Sequence, residues 1–316
     1  MTGDTVSTLG IGDLARRSGL PVRTIRFYCD EGILDVGRST GGHRRFSEAD
    51  AERLDQVRRL RALGLGLAAI RAMLAGERSL AEVVAEERAA LDVELATLAW
   101  RHASMRALDE SAPEDRAARL DLLAAAQDGL AARAALETFW RRMFQAPTSA
   151  DTVEMFLAAS VPDPPEVPTP RQVLAYAEMT TIVADRQLTN RFLYRAMLSP
   201  VPHEFPLHCG VREACAMVVP LVRAGALPGP GLPLDQFVTA HASARGVRDT
   251  RTFRHALSAI STGEREPRLR RYWRLVGEVT GEPVTIGTAV CWLVDALDVT
   301  LSAHASARPP AGRVPR

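Results

Sequence analysis

Arginines crowd one short stretch of this chain, 22-VRTIRFYCDEGILDVGRSTGGHRRFSEAD-50, where they alternate with aromatic residues. A guanidinium donates two parallel hydrogen bonds, a geometry that fits phosphate oxygens and the O6/N7 edge of guanine. Arg23, Arg26 and Phe27 are spaced i, i+3, i+4 and share one face of a helix, while Ile25, Tyr28 and Cys29 share the adjoining face. The first face suits a nucleic acid and the second suits packing. His43, Arg44, Arg45 and Phe46 come together further on, where they could clamp a sugar–phosphate backbone. Two other groups could do chemistry. Cys29 sits among the arginines, but no second thiol lies near it. The segment HEFPLHC with a later cysteine offers His203, His208, Cys209 and Cys215 as a conceivable zinc set. A Pro-broken surface loop beside a buried cysteine explains the same residues, and no metal site is expected.

The elements that must position these residues are legible from punctuation. Ile11, Leu14 and Ala15 begin a short helix that Gly19 stops. Pro21 then opens a second helix, stopped by Gly32. Two short helices joined by a tight turn make a helix-turn-helix. Residues 33–46 follow as two short strands around the polar STGG run, which is a wing. Ser47 with Asp50 three residues on caps the next helix, which runs to Gly64. Gly66 precedes LAAIRAML, closed by Gly76. Beyond Ser79 a long regular helix extends to about Asp109. Along it Val84, Leu91, Leu95, Leu98 and Met105 form a seam of alternating 4- and 3-residue steps, interrupted by Arg88 and His102. One helix cannot bury such a seam alone, so it predicts a partner helix.

Charge is distributed to match. Residues 1–76 carry 12 arginines against 9 acidic residues, whereas residues 77–113 carry 4 against 8, so the basic excess lies at the front. Every basic residue is arginine, which carries no mechanistic weight. At 316 residues and 47% hydrophobic, the chain can bury a real core. Few aromatics and much alanine and leucine favour helices. The predicted fold is mainly all-α: a winged helix-turn-helix over 1–76, a dimerisation helix over 77–110, a helical effector or interaction domain over 111–306, and a disordered tail over 307–316. Helical segments in the third part alternate with the Pro-rich breaks 161–170, 199–206 and 227–233. No secretory signal is visible, no apolar run approaches bilayer length, and four cysteines make no disulfide framework, so a soluble cytoplasmic protein with no membrane partner is expected.

The order IGDLARRSGL, VRTIRFYCDEGIL, GGHRRFSEADAERL, LRALGLGLAAIRAML resembles the MerR family of bacterial transcription regulators over about residues 9–76. The following heptad helix sits where that family places its dimerisation helix. The resemblance implies an antiparallel helix pair in a homodimer that reads a near-palindrome in double-stranded promoter DNA. It also implies a distorted spacer, several kcal/mol of duplex deformation offset by phosphate contacts, and RNA polymerase at the same promoter. The family motif maps onto Thr24, Arg26, Phe27, Tyr28, Arg44 and Phe46. With Arg16, Arg17, Arg23, His43 and Arg45 these make the expected DNA-binding set. Departures are His43 where the family has tyrosine, Cys29 in place of an acidic or polar residue, and Gly66 in place of a Ser or Thr cap.

Metal-responsive members place cysteines near the start of the dimerisation helix, and residues 77–99 hold neither Cys nor His. Iron–sulfur and cobalamin signatures are also absent, so no cofactor is expected. The large helical C-terminal part resembles members that sense drugs or antibiotics. A small-molecule effector would then be lined by aromatics such as Trp140, Phe144, Tyr176, Trp273 and Trp292, each of which also suits a core. An alternative is a ligand-independent regulator whose C-terminal part docks a protein such as RNA polymerase. The chain has no P-loop, G-x-S-x-G or HExxH and no diagnostic acidic pair, so no enzyme is expected.

Overall fold

The computed structural model describes residues 8–34, 37–38, 44–144, 148–191 and 201–306. They gather into two compact units, Met1–Leu95 and Ala96–Arg316. The division falls inside the long helix. The wing turn with His43 and the tail 307–316 lie outside the described residues. The chain is mainly helical, as its composition predicts.

The first unit runs β1 (Leu9–Gly10), α1 (Ile11–Ser18), α2 (Val22–Asp30), β2 (Gly37–Arg38), β3 (Arg44–Phe46), α3 (Glu48–Ala62), α4 (Leu67–Leu74) and the start of α5 (Leu80–Asp109). Gly19 ends α1 at φ 72°, its N–H donating to the Ala15 carbonyl at 3.0 Å. A residue with a Cβ would lose about 1–2 kcal/mol in that left-handed conformation. Ser47 and Asp50 close a reciprocal capping box at the start of α3, with bonds of 3.2 and 2.7 Å. Ser79 and Glu82 do the same for α5, at 3.2 and 2.7 Å. The sheet has the antiparallel order β1-β3-β2, with Gly37 opposite Arg45 and Leu9 opposite Phe46. The β2–β3 pair is the wing hairpin; β1 is a third strand that the sequence pattern did not signal. Leu14, Ile25, Tyr28, Phe46, Leu54 and Ile70 are the heart of the core that these elements enclose.

The second unit begins with the end of α5 and continues through α6 (Arg116–Ala124), α7 (Gly129–Arg141), α8 (Ala150–Ser160) and α9 (Pro170–Ala184). Then come α10 (Glu204–Arg223), α11 (Leu232–Ser243), α12 (Arg251–Ile260), α13 (Pro267–Thr280) and α14 (Ile286–Ser306). The breaks at 161–170 and 227–233 separate helices as expected. Each of the three breaks ends in the first turn of the helix that follows, at Pro170 in α9, Pro206 in α10 and Pro233 in α11, where a missing N–H costs nothing.

Two cores fill this unit. One gathers Trp100, Trp140, Tyr176, Tyr272 and Trp273; the other gathers Cys215, Phe237, Leu257, Leu293 and Leu297, and α14 contributes to both. Arg270 clasps Asp295 with bonds of 2.8 and 2.6 Å, and Arg271 clasps Glu178 at 2.8 and 2.7 Å, fixing α13 to α14 and α9. By length and composition α10 and the 286–303 part of α14 could each cross a membrane, with mean hydropathies of 1.3 and 1.4. Neither is an uninterrupted apolar run, since α10 carries Glu204, Arg212, Glu213 and Arg223, and α14 carries Asp295 and Asp298. Here both helices pack within the unit: α10 lies on α11 and α14, and α14 engages arginines through Asp295 and Asp298.

Candidate functional site

Helix α2 is amphipathic in the sense that the i, i+3, i+4 pattern predicts. Ile25 is fully buried and Tyr28 nearly so, Cys29 and Thr24 are half-buried, and Arg23, Arg26 and Phe27 face solvent. Phe27 is 50% exposed, an unusual placement for a phenyl ring unless something covers it. Arg23 and Arg26 make no ion pair among the described residues. The α2 face therefore presents two exposed guanidinium groups beside an aromatic ring.

The wing strand alternates as a strand must. Arg45 points outward and is exposed, while Phe46 is fully buried. Phe46, expected among the DNA contacts, is thus a core residue beneath the wing, and Tyr28 belongs to the same core. Arg44 shares the inner side of the strand and pairs with Asp30 at the end of α2, Nη2 to Oδ1 2.8 Å. Its Nη1 is buried and has no partner among the described residues. Arg44 also lies beside Cys29, whose thiol is pushed up by burial against the opposing pull of that charge. Cys29 is therefore no ready thiolate. Arg17 is engaged by Glu48 and Arg16 by Asp13, all on the surface. Arg16, Arg17 and Arg44 would have to exchange a carboxylate for a phosphate, whereas Arg23, Arg26 and Arg45 need not.

On α5 the seam residues Val84, Leu91, Leu95, Leu98 and Met105 are 45 to 64% exposed. At about 100° per residue they fall on the side opposite Trp100, Ala103 and Ala107, which are buried in the second unit. Both faces of this part of the helix are apolar, and only one is covered.

The second unit contains a cavity of about 390 Å³, within the range of about 300–1,000 Å³ common for small-molecule sites. Of the five aromatics expected at such a site, Trp140 and Trp273 line it. Tyr176 does not: it is fully buried and its hydroxyl donates to the Pro162 carbonyl. Phe144 packs behind the wall on Phe156 and His208, and Trp292 donates to the Ala226 carbonyl at 3.3 Å. The sequence reading missed Phe156, His208, Phe237, His241 and Arg245, which complete the wall from α8, α10, α11 and just beyond. Burial holds both histidines below their ordinary range, His241 down to about 3, with the nearby Arg245 charge adding to it. The four residues weighed as a zinc set do not converge. His208 faces the cavity, Cys215 is buried with its thiol near the Ile286 carbonyl, and no metal-binding cluster exists among the described residues.

Residues 9–77 match the family described as MerR HTH family regulatory protein. Nodulation protein NolA of Bradyrhizobium elkanii is 40% identical over 91 residues, covering 28% of this chain and 42% of NolA. The transcriptional regulator HmrR of Rhizobium leguminosarum bv. viciae is 37% identical over 67 residues, 21% of this chain and 52% of HmrR. The transcriptional activator TipA of Streptomyces coelicolor is 43% identical over 65 residues, 20% of this chain and 26% of TipA. The chain thus spans less than half the length of NolA and about a quarter of TipA. No solved structure is significantly similar to it.

Proposed function

We propose that this chain, whose residues 9–77 are a MerR-family helix-turn-helix head, is a dimeric promoter-binding transcription regulator governed by a small molecule held in its second unit. The head reads double-stranded DNA with α2 in the major groove and the wing on the flanking backbone. Arg23, Arg26 and Arg45 make the first contacts, and Arg16, Arg17 and Arg44 follow by exchanging their carboxylate partners for phosphates. Two copies join along the α5 seam, which presents two heads to a near-palindrome. The dimer distorts the spacer between promoter elements, and RNA polymerase is the protein partner at the same site. The observation that carries this reading is a pair of exposed arginines with no ion pair among the described residues, on a helix whose other face is packed into a winged head.

The test is a footprint on the chain's own promoter, with wild type beside Arg26→Ala and Arg44→Ala. Each variant is expected to lose roughly ten-fold or more in operator affinity, and the wild-type complex to weaken steeply as salt rises. If both variants protect the operator as wild type does, the DNA surface lies elsewhere.

A further inference from the structure

The cavity in the second unit has two chemically distinct walls. One is aromatic. Trp140 and Trp273 stack with ring centroids 5.1 Å apart and an interplanar angle of 24°, and Phe156 meets Trp140 edge-on at 5.2 Å. Trp273 itself lies flush on Gly287, where a Cβ would come within 1.8 Å of the indole. The indole plane is therefore held by a close approach to backbone, and a rigid ring wall results.

The other wall is at the end of α11. There Arg245 Nη1 donates to the Nδ1 of His241 at 3.0 Å and to the His241 carbonyl at 3.1 Å. A guanidinium can only donate, so Nδ1 is the acceptor and the ring proton sits on Nε2. Burial keeps that imidazole neutral at physiological pH. The wall thus offers a neutral N–H donor beside a cation.

Among the described residues, Arg245 stands apart from the other partly buried arginines of its unit. Arg254, Arg265, Arg268, Arg270 and Arg271 all end on carboxylates. Arg245 is half-buried, and among the described residues its only partners are two neutral acceptors, both taken by Nη1. Burial without an anion already disfavours its charged form. A partly desolvated cation with an unfilled fork is costly unless an anion completes it. Arg212 lines the same cavity, and among the described residues Glu264 is the single lining carboxylate, so the described lining is cationic on balance.

We propose that the cavity binds a planar aromatic carboxylic acid as its anion, with the ring against Trp140 and Trp273 and the carboxylate on Arg245 and His241. The proposal rests on reading the cavity as the effector site and adds the class of molecule that fills it. A carboxylate accepts two parallel bonds from a guanidinium fork, and Arg245 has the donors left to give them. The aromatic wall supplies apolar contact, and the neutral His241 N–H adds a donor without competing for the charge.

The test uses the full-length chain with three probes of one shape: 2-naphthoate, its neutral amide 2-naphthamide, and the cation 2-naphthylmethylammonium. Titration is followed by tryptophan fluorescence and by calorimetry. The acid is expected to bind roughly ten- to hundred-fold tighter than the amide, the worth of charge-assisted hydrogen bonds, and the cation to bind weakest. Arg245→Met should abolish the preference for the acid, and Arg212→Met should leave most of it. If the amide or the cation binds as tightly as the acid, the anion assignment is wrong while the effector-site reading stands. If Arg212→Met removes the preference and Arg245→Met does not, the carboxylate sits elsewhere in the cavity and the assignment to Arg245 falls. If none of the three probes binds, the effector-site reading itself falls. Should Arg245→Met fail to fold, the wild-type comparison of the three probes still decides.

Discussion

Charge placed on the α5 seam should separate the two copies without unfolding either. Leu91 and Leu98 are 47 and 50% exposed in the single chain, so replacing both with glutamate removes little that holds the chain itself together. In the proposed pair the exposed half of each side chain is covered. Full burial of a leucine is worth about 1.5–3 kcal/mol, so covering the remaining half contributes about 1 kcal/mol per side chain. Four such side chains meet in a dimer, giving about 4 kcal/mol, which corresponds to a loss of about a thousand-fold in the dimerisation constant. Carboxylates trapped in an apolar seam weaken it further, so a thousand-fold is a floor.

The assay is sedimentation equilibrium on wild type and Leu91→Glu/Leu98→Glu over a range of concentrations, with circular dichroism to show that helix content is kept. Val167→Glu is the control, because Val167 is 83% exposed and lies off the seam. The double variant should sediment as a monomer where wild type and the control are dimers, and should protect operator DNA poorly. A double variant that keeps the wild-type association constant would refute the seam as the interface.

Three further outcomes follow from particular contacts. His241 is held at about 3 in the folded chain against an ordinary 6.5. Between those values the unfolded chain binds more protons, so stability falls as pH drops below 6.5, by about 2 kcal/mol from pH 7.5 to pH 5. Burial of His208 adds in the same direction. Urea titrations at the two pH values should show the fall, and His241→Gln should remove most of it; a variant with an undiminished fall would contradict the assignment. Gly287→Ala would drive a methyl into the Trp273 indole and should cost about 1–3 kcal/mol, read as a lower thermal midpoint together with altered tryptophan emission. Glu48→Gln frees Arg17 from its carboxylate partner, so DNA binding should tighten with a steeper salt dependence, and unchanged binding would remove Arg17 from the interface.

The first unit could be read from its sequence because its instructions are local. Gly19 and Gly32 stop two helices, Ser47 and Asp50 cap a third, and the spacing of Arg23, Arg26 and Phe27 sets their face; all of this appears within windows of a few residues. What escaped depended on distant partners. The strand Leu9–Gly10 is too short to carry an alternation signal and exists because β3 lies beside it. In the sequence Phe46 is indistinguishable in role from its arginine neighbours, because a motif names residues without saying which way each points. Strand alternation decides it: with Arg45 outward, Phe46 must go in.

The second unit shows why its aromatics could not be sorted by type. Tyr176 and Tyr272 each carry a hydroxyl that burial would leave costly, and each spends it on a carbonyl, Pro162 for one and Ser160 for the other. Those bonds commit both rings to the interior. Trp140 gives its Nε1–H to the Tyr272 oxygen at 2.9 Å and so meets its one polar demand from behind, which leaves its indole available to the cavity. Trp273 is backed by Gly287, 14 residues further along the chain, and lines the same wall. One wall ring thus has its polar atom bonded from behind, and the other has its back face on backbone. Those conditions are set by residues from Trp140 to Gly287 folded together, and no window of sequence contains them. Arg245 is the converse case, since its position at the end of α11 was ordinary in sequence. What distinguishes it is the carboxylate that its neighbours in the fold do not provide.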